Sequence, residues 1–377
     1  MTLVINMKKI ANITTTIIDI PTIRPHKLSM TSMAMQSMVI VRILDTDGAE
    51  GLGEGTTIGG LAYGPESPES IKKNIDTYIT PLLLNKPYHS IKSLTQMLNK
   101  SIRGNFIAKS AIETALFDLK GKQLGVPISE LLGGACHNHI ECLWVLASGD
   151  TDKDINEALS MIETKRHRNF KMKIGANTLE QDISHVTKVK AALGPSVSIR
   201  VDVNQAWNES IATKGIAALE KAGIELIEQP TAAKDFAALA RLSKKFNVPI
   251  LADESIADKE DAFLLAKQNF SGSVALKIAK SGGLISALEV ATVCSSAGID
   301  VYGGTLLEGS IGTAAALHAW STIPQMQFGT EMFGPLLLQD DIVKTPLKYH
   351  NFGVEIPNLA GLGLEIDEAK FKQYTRK

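Results

Sequence analysis

The sequence predicts a closed α/β barrel preceded by an α+β module, and two observations carry that expectation. Five charged residues, Lys173, Asp202, Glu228, Asp253 and Lys277, recur at steps of 29, 26, 25 and 24 residues, each closing an apolar, strand-like run. Each step is about one strand–loop–helix–loop unit. From Ile140 onward strand-like and helical stretches alternate, with strands expected near 140–146, 169–175, 198–204, 225–229, 249–254, 273–279, 299–303 and 326–331. Eight strands suit a modified TIM barrel, whereas an open doubly wound sheet usually has fewer. Barrels of this kind keep their active sites at the rim formed by the strand ends, where the five charges fall.

Residues 1–135 lack this rhythm and read as an α+β capping domain. Ile10–Ile20 and Ser37–Leu44 have strand character, and Asp45-Thr46-Asp47-Gly48 supplies a hairpin turn into a third strand, Glu50–Thr57. Pro21-Thr22-Ile23-Arg24-Pro25-His26-Lys27, with two prolines, reads as an irregular loop. Helical patterns follow around 68–83, 89–98 and 105–123. Residues 136–339 form the barrel, with helices such as Ile155–Lys165, Leu179–Ala192 and Ile211–Ala222 between strands. The tail, 340–377, carries short extended pieces and is expected to pack back on the capping domain.

Composition narrows the function. The chain has 377 residues, 44% hydrophobic and 21% charged, enough for two cores. A net charge of -1 argues against a general nucleic-acid or anionic-membrane binder. No apolar run is long enough to span a bilayer, and the first residues lack the apolar core of a signal peptide. Three cysteines without a disulfide framework fit a reducing cytoplasm.

The chemistry follows from the five positions. Carboxylates from Asp202, Glu228 and Asp253, brought into contact, repel by roughly 4 kcal/mol per pair at an effective dielectric of about 20. A hard divalent cation removes that penalty, and all-oxygen ligation favours Mg²⁺ or Mn²⁺ over zinc. Lys171 and Lys173 lie two apart and share a strand face, flanked by Phe170, Met172 and Ile174, so burial is expected. At about 7 Å their repulsion is roughly 2.4 kcal/mol, enough to lower one lysine by up to about 1.7 pK units. That moves it toward the range of a proton carrier at neutral pH. Lys277 brings a further ammonium from across the mouth, with Glu331 or a metal carboxylate as partner. Lys280 is expected near the following loop, and Asn204 shares a face with Asp202 and is placed to orient it.

Other motifs carry less. Gly51-Leu52-Gly53-Glu54-Gly55 has nucleotide-loop spacing but no helix directly after it, so a glycine-rich turn or mobile loop is expected in place of a nucleotide site. Cys136-His137-Asn138-His139 has nothing elsewhere to complete a soft-metal site and reads as a linker. Ser310 lacks the glycine spacing of a nucleophile elbow.

Lys171-Met172-Lys173, the acids Asp202, Glu228 and Asp253, and the opposing Lys277 resemble the enolase superfamily, in its muconate-lactonising subgroup, over nearly the whole chain. The segments 21–28, 56–64, 302–312 and 329–335 narrow the resemblance to that subgroup. It implies a cycloisomerase interconverting cis,cis-muconate and muconolactone through a metal-stabilised enolate, in aromatic catabolism by the β-ketoadipate pathway. Mn²⁺ (or Mg²⁺) is the implied cofactor, a small dicarboxylate the substrate, and a homo-oligomer, an octamer, the implied assembly. Lys173 would carry the α-proton, Lys171 would lower its pKa, and Lys277, held by Glu331, would add charge opposite. Arg24, His26, Ile58 and Tyr63 would lie on loops covering the mouth, with Asn204 and Phe333 also at the substrate. Chloromuconate cycloisomerase, N-acylamino-acid racemase, dipeptide epimerase and o-succinylbenzoate synthase use the same lysines and acids and stay open. So does a catalytically silent binding barrel, though such a barrel has no physical use for so strained a cluster.

Overall fold

The structure is a computed structural model that describes residues 8–27 and 31–377. It begins with a three-stranded antiparallel sheet in the order β1 (Ile10–Lys27), β2 (Ser32–Asp45), β3 (Glu50–Thr56). β1 is longer than expected. It runs through Pro21 and Pro25 to Lys27, with the register broken between Ile10 and Asn12 and again between Pro21 and His26. Proline is tolerated on an edge strand and at a break in register, and Pro21 and Pro25 stand at such a break. Leu28, the end of the segment compared above, lies outside the described residues. The helix Phe106–Leu124 packs on β3 and is buried over most of its length.

β4 (His139–Glu141) leads into the barrel, whose parallel strands run in sequence order. They are β5 (Trp144–Leu146), β6 (Asn169–Lys173), β7 (Ser198–Asp202), β8 (Leu226–Glu228), β9 (Ile250–Ala252), β10 (Ser273–Leu276) and β11 (Asp300–Gly303). β4 does not join them. It pairs with β13 (Gly353–Glu355), which pairs with β12 (Tyr349–His350), so the stretch expected as one strand over 140–146 splits in two. The eighth strand, expected at 326–331, is reduced to Thr330, which bridges Gly303 on one side and Cys142 on the other, both in parallel. That residue closes the ring. The barrel is therefore seven strands and one bridge.

The tail returns to the first module. Thr375 bridges Ile18, Arg376 pairs with Asp19 at 2.6 Å, and the Leu362 N–H donates to Asp118 at 2.7 Å.

The helices that follow β5 to β9 are capped by their own sequence. Asp150, Thr178, Asn208, Asp235 and Asp258 each accept an N–H from the first turn. The helices Leu284–Ser296 and Ser310–Trp320 instead begin after Gly283 and Gly309, with no side-chain cap of their own. For the first, Glu113 of the helix Phe106–Leu124 substitutes, accepting the Ile285 N–H at 2.9 Å and the Thr95 hydroxyl at 2.8 Å. Gly283 is required there, because a Cβ would lie 2.4 Å from Glu113 Oε1 and φ is +144°.

Burial pushes the Glu113 carboxyl up to about 7 from an ordinary 4.5, against the lowering effect of the Ile285 N–H. Folding therefore takes up a proton in this window, and the group's contribution to stability falls as pH rises through it, by on the order of 3 kcal/mol. Glu113→Gln removes the titration. Urea unfolding at about pH 5 and about pH 8 is expected to show the variant gaining on the parent at the higher pH. A difference that does not move with pH contradicts this.

Candidate active site

Parallel register sets the site. Lys173 is paired with Asp202 across β6–β7, and Asp202 with Glu228 across β7–β8, so three charged side chains stand at one level of the mouth. Asp253 follows β9 directly and Lys277 follows β10, one residue beyond each strand end. Lys171, two residues below Lys173, points into the barrel, where Arg200 and Tyr302 also lie buried.

The charges pair closely. Lys171 Nζ lies 2.5 Å from Glu331 and 2.9 Å from Glu228. Lys173 Nζ lies 2.5 Å from Asp202, and Lys277 Nζ 2.6 Å from Asp253. Of the partners expected for Lys277, the structure selects Asp253. Glu331 goes to Lys171 instead, because Thr330 closes the barrel between β11 and Cys142, just ahead of β5, and Glu331 follows it on the Lys171 side. The uncompensated repulsion expected between Lys171 and Lys173 is likewise absent, since each lysine has its own carboxylate.

The ionisation follows this pairing. Burial opposes the charge on Lys171, but Glu228 and Glu331 carry its pKa well above the ordinary value. Lys277 is raised in the same way, against burial, chiefly by Asp253. Burial works against Asp253 too, and Lys277 and Lys280 hold its carboxyl low. Glu228 is pushed well up by burial and by the charge of Asp202. Lys171 and Lys277 are 2% and 4% exposed, whereas Lys173 is 13% exposed. Lys173 is the one of the three with access to solvent protons.

Lys280, expected near the following loop, is drawn into the site instead, and Glu254 was not singled out by the sequence. Lys280 reaches Asp253 Oδ1 at 2.9 Å and its backbone oxygen at 2.5 Å. The signal was its place three residues after Lys277, one helical turn on. Glu254, next to Asp253, accepts from Asn204 Nδ2 at 3.1 Å, and burial and Asp253 push its carboxyl up to about 7. Asn204, with φ +43°, also donates to Asp202 at 3.1 Å.

His26, Ile58, Tyr63, Asn204 and Phe333 line a cavity of about 20 Å³ together with Lys171, Lys173, Glu228, Asp253, Lys277 and Glu331. Tyr63 OH bonds Asp253 at 3.1 Å and accepts from Lys277 at 3.0 Å. His26 is buried, and burial and Lys173 lower it to about 3, so its ring is neutral. Arg24 does not line the cavity. It pairs with Glu157 at 3.0 Å and donates to Val145 O at 2.9 Å, parting from His26 two residues on because the strand register is broken between Pro21 and His26. Val145, Thr305 and Leu307, which the sequence did not single out, complete the lining.

Residues 12–133 match the description "Mandelate racemase / muconate lactonizing enzyme, N-terminal domain", and residues 153–370 match "Enolase C-terminal domain-like". The chain belongs to the mandelate racemase/muconate lactonizing enzyme family. Within this family it is 53% identical to muconate cycloisomerase 1 of Acinetobacter baylyi, over 97% of this chain and 99% of that protein. It is 44% identical to a chloromuconate cycloisomerase of a Pseudomonas species, over 98% and 99%. A crystal structure of muconate lactonizing enzyme from Pseudomonas fluorescens complexed with muconolactone superposes with a TM-score of 0.97 at 50% identity, covering 98% of this chain and all of that one.

Enzymes of this superfamily use a divalent cation. Asp202, Glu228 and Asp253 fit such an ion by chemistry. Among the described residues no three acid, histidine or cysteine side chains are closed on a common point. The acids face lysines instead, yet Asn204 Oδ1 and Glu254 Oε2 are buried beside them with no hydrogen-bond donor. Orphaned acceptor oxygens next to a repelling acid set suit a cation.

Glu331→Gln removes one partner of a buried ion pair and is expected to cost about 3 kcal/mol in urea unfolding. Adding Lys171→Met is expected to cost less than the sum of the two single changes. Additive losses contradict direct pairing.

Proposed function

We propose that the chain catalyses the reversible cycloisomerisation of cis,cis-muconate to muconolactone. The observation that carries this reading is the pairing of a two-lysine, three-acid mouth with an Ile58–Tyr63 cover, in a chain about half identical over its full length to enzymes named for that reaction. The identity to chloromuconate enzymes is lower, which favours the unsubstituted substrate.

In the forward direction one carboxylate of muconate adds across a double bond, and a C–O bond forms. The displaced π electrons move onto the other carboxylate as an enolate, and a proton then joins the α-carbon. Asp202, Glu228 and Asp253 would hold Mn²⁺ or Mg²⁺, which when bound supplies Lewis-acid stabilisation of charge developing on oxygen. Lys173 delivers the α-proton, and in reverse removes it, with access to solvent for exchange. Lys277, kept protonated by Asp253, places fixed positive charge near the developing anion. Lys171, locked by Glu228 and Glu331, contributes charge from below without titrating.

The neutral His26 ring has an Nδ1 without a partner among the described residues, which suits a hydrogen bond to a substrate carboxylate. Ile58, Tyr63 and Phe333 exclude water. The cavity holds about one water, so muconate enters only when its cover moves. The same reading places the enzyme in the cytoplasm, where Cys136, Cys142 and Cys294 stay free, and assembles it with copies of itself. Among the described residues no helix is long and apolar enough to cross a membrane.

An ultraviolet assay with cis,cis-muconate and Mn²⁺, run beside N-acylamino acids, tests the assignment. Loss of the muconate chromophore is expected, and racemisation without lactonisation overturns it. Asp202→Asn or Asp253→Asn is expected to weaken Mn²⁺ binding, read by electron paramagnetic resonance, by about tenfold or more. Unchanged Mn²⁺ affinity in both places the ion elsewhere.

A further inference from the structure

The segment Gly51-Leu52-Gly53-Glu54-Gly55 takes no part in the chemistry above, yet its surroundings are closely built. Gly51 and Gly53 face the helix Phe106–Leu124, where a Cβ would come 2.1 Å from Ala115 O and 1.9 Å from Ala111 O respectively. Glycine lets the two backbones touch. Glu54, one residue on, points to the opposite side. There its Oε1 accepts the Gly309 N–H at 2.7 Å and its Oε2 the Gly312 N–H at 2.8 Å. Thr56 Oγ1 donates to the same carboxylate at 2.6 Å. These amides open the helix Ser310–Trp320, whose N-cap is the side-chain-free Gly309.

A second attachment lies beside it. Gln36 Nε2 donates to Leu306 O at 3.0 Å and to Leu307 O at 2.9 Å. Leu307 has φ +62°, a conformation that leucine rarely holds without outside support. Thr305 and Leu307 line the cavity from the barrel, and Ile58 and Tyr63, which follow Glu54 in the chain, line it from the first module. Glu54 and Gln36 thus join the two walls of one pocket.

We propose that Glu54 is a positioning residue that registers the sheet carrying Ile58 and Tyr63 on the barrel segment 305–309, so that the two walls of the pocket meet at a fixed spacing. Gln36 secures the same segment. The kinetic arm of the test rests on the proposed reaction; the exchange arm does not.

Glu54→Ala is expected to raise KM for cis,cis-muconate by about tenfold while kcat stays within about threefold, since the lysines and acids keep their own partners. Backbone amides over 305–313 are expected to exchange with deuterium about tenfold faster, and those of β6 and β7 at the parent rate. Glu54→Gln keeps the volume and one acceptor oxygen, while its Nε2 cannot accept the second backbone N–H, so it is expected to recover part of both effects. Gln36→Leu, a variant independent of Glu54, is expected to raise KM and speed exchange over the same segment. A KM unchanged in Glu54→Ala and Gln36→Leu overturns the proposal, as does a fall in kcat alone. Exchange accelerated equally through the barrel, or a Gln variant no better than Ala, also overturns it. If the parent protein fails to turn over muconate, the reaction assignment falls, and the exchange comparison still decides the role of Glu54.

Discussion

Charge compensation at one level of a parallel barrel is the constraint on which the rest of this structure depends. The register of β6, β7 and β8 brings Lys173, Asp202 and Glu228 side by side, and Asp253 and Lys277 follow at the next two strand ends. Buried charges of this kind persist only when each has a partner. The partners here are the opposing members of the same set, together with Glu331 and Lys280. Five carboxylates, counting Glu254, stand against four ammoniums, and the burial that raises Glu228 and Glu254 expresses that imbalance. A divalent cation beside these acids would correct it.

Much of this was legible in the sequence because strand ends in a barrel share one rim. Spacing and residue type were enough to gather Lys171, Lys173, Asp202, Glu228, Asp253 and Lys277. The pairing within the set was not legible, because it depends on how the ring closes. A single residue, Thr330, does that work where a full strand was expected, and it turns Glu331 toward Lys171. Lys280 was expected near a loop and Glu254 was missed for a similar reason: both lie just past a strand end, Lys280 in the short helix Ile278–Ser281, where direction is not set by period-two alternation. Pro21 and Pro25 misled in the other direction. They signal a break in an interior strand, but β1 is an edge, and the extended chain carries His26 to the pocket while Arg24 turns away to Glu157.

The first module does more than cover the mouth. Five barrel helices carry their own caps, and two that begin with glycine receive Glu113 and Glu54 from across the interface. At Gly283 the missing Cβ leaves the room that the Glu113 carboxylate fills, while at Gly309 Met38 Sδ comes nearest, ahead of Glu54. Ile58 and Tyr63 on one body and the lysines and acids on the other thus line one cavity at a fixed spacing.

The assignment of Lys173 as the proton carrier, with Lys277 as fixed charge, is the central claim, and solvent exchange tests it most directly. Muconolactone incubated in deuterated water is followed by proton NMR with the Lys173→Ala and Lys277→Ala variants. The account predicts that Lys173→Ala abolishes exchange at the α-carbon, while Lys277→Ala retains some exchange and lactonises slowly. Normal exchange by Lys173→Ala, with exchange lost in Lys277→Ala, would contradict it and reverse the two roles.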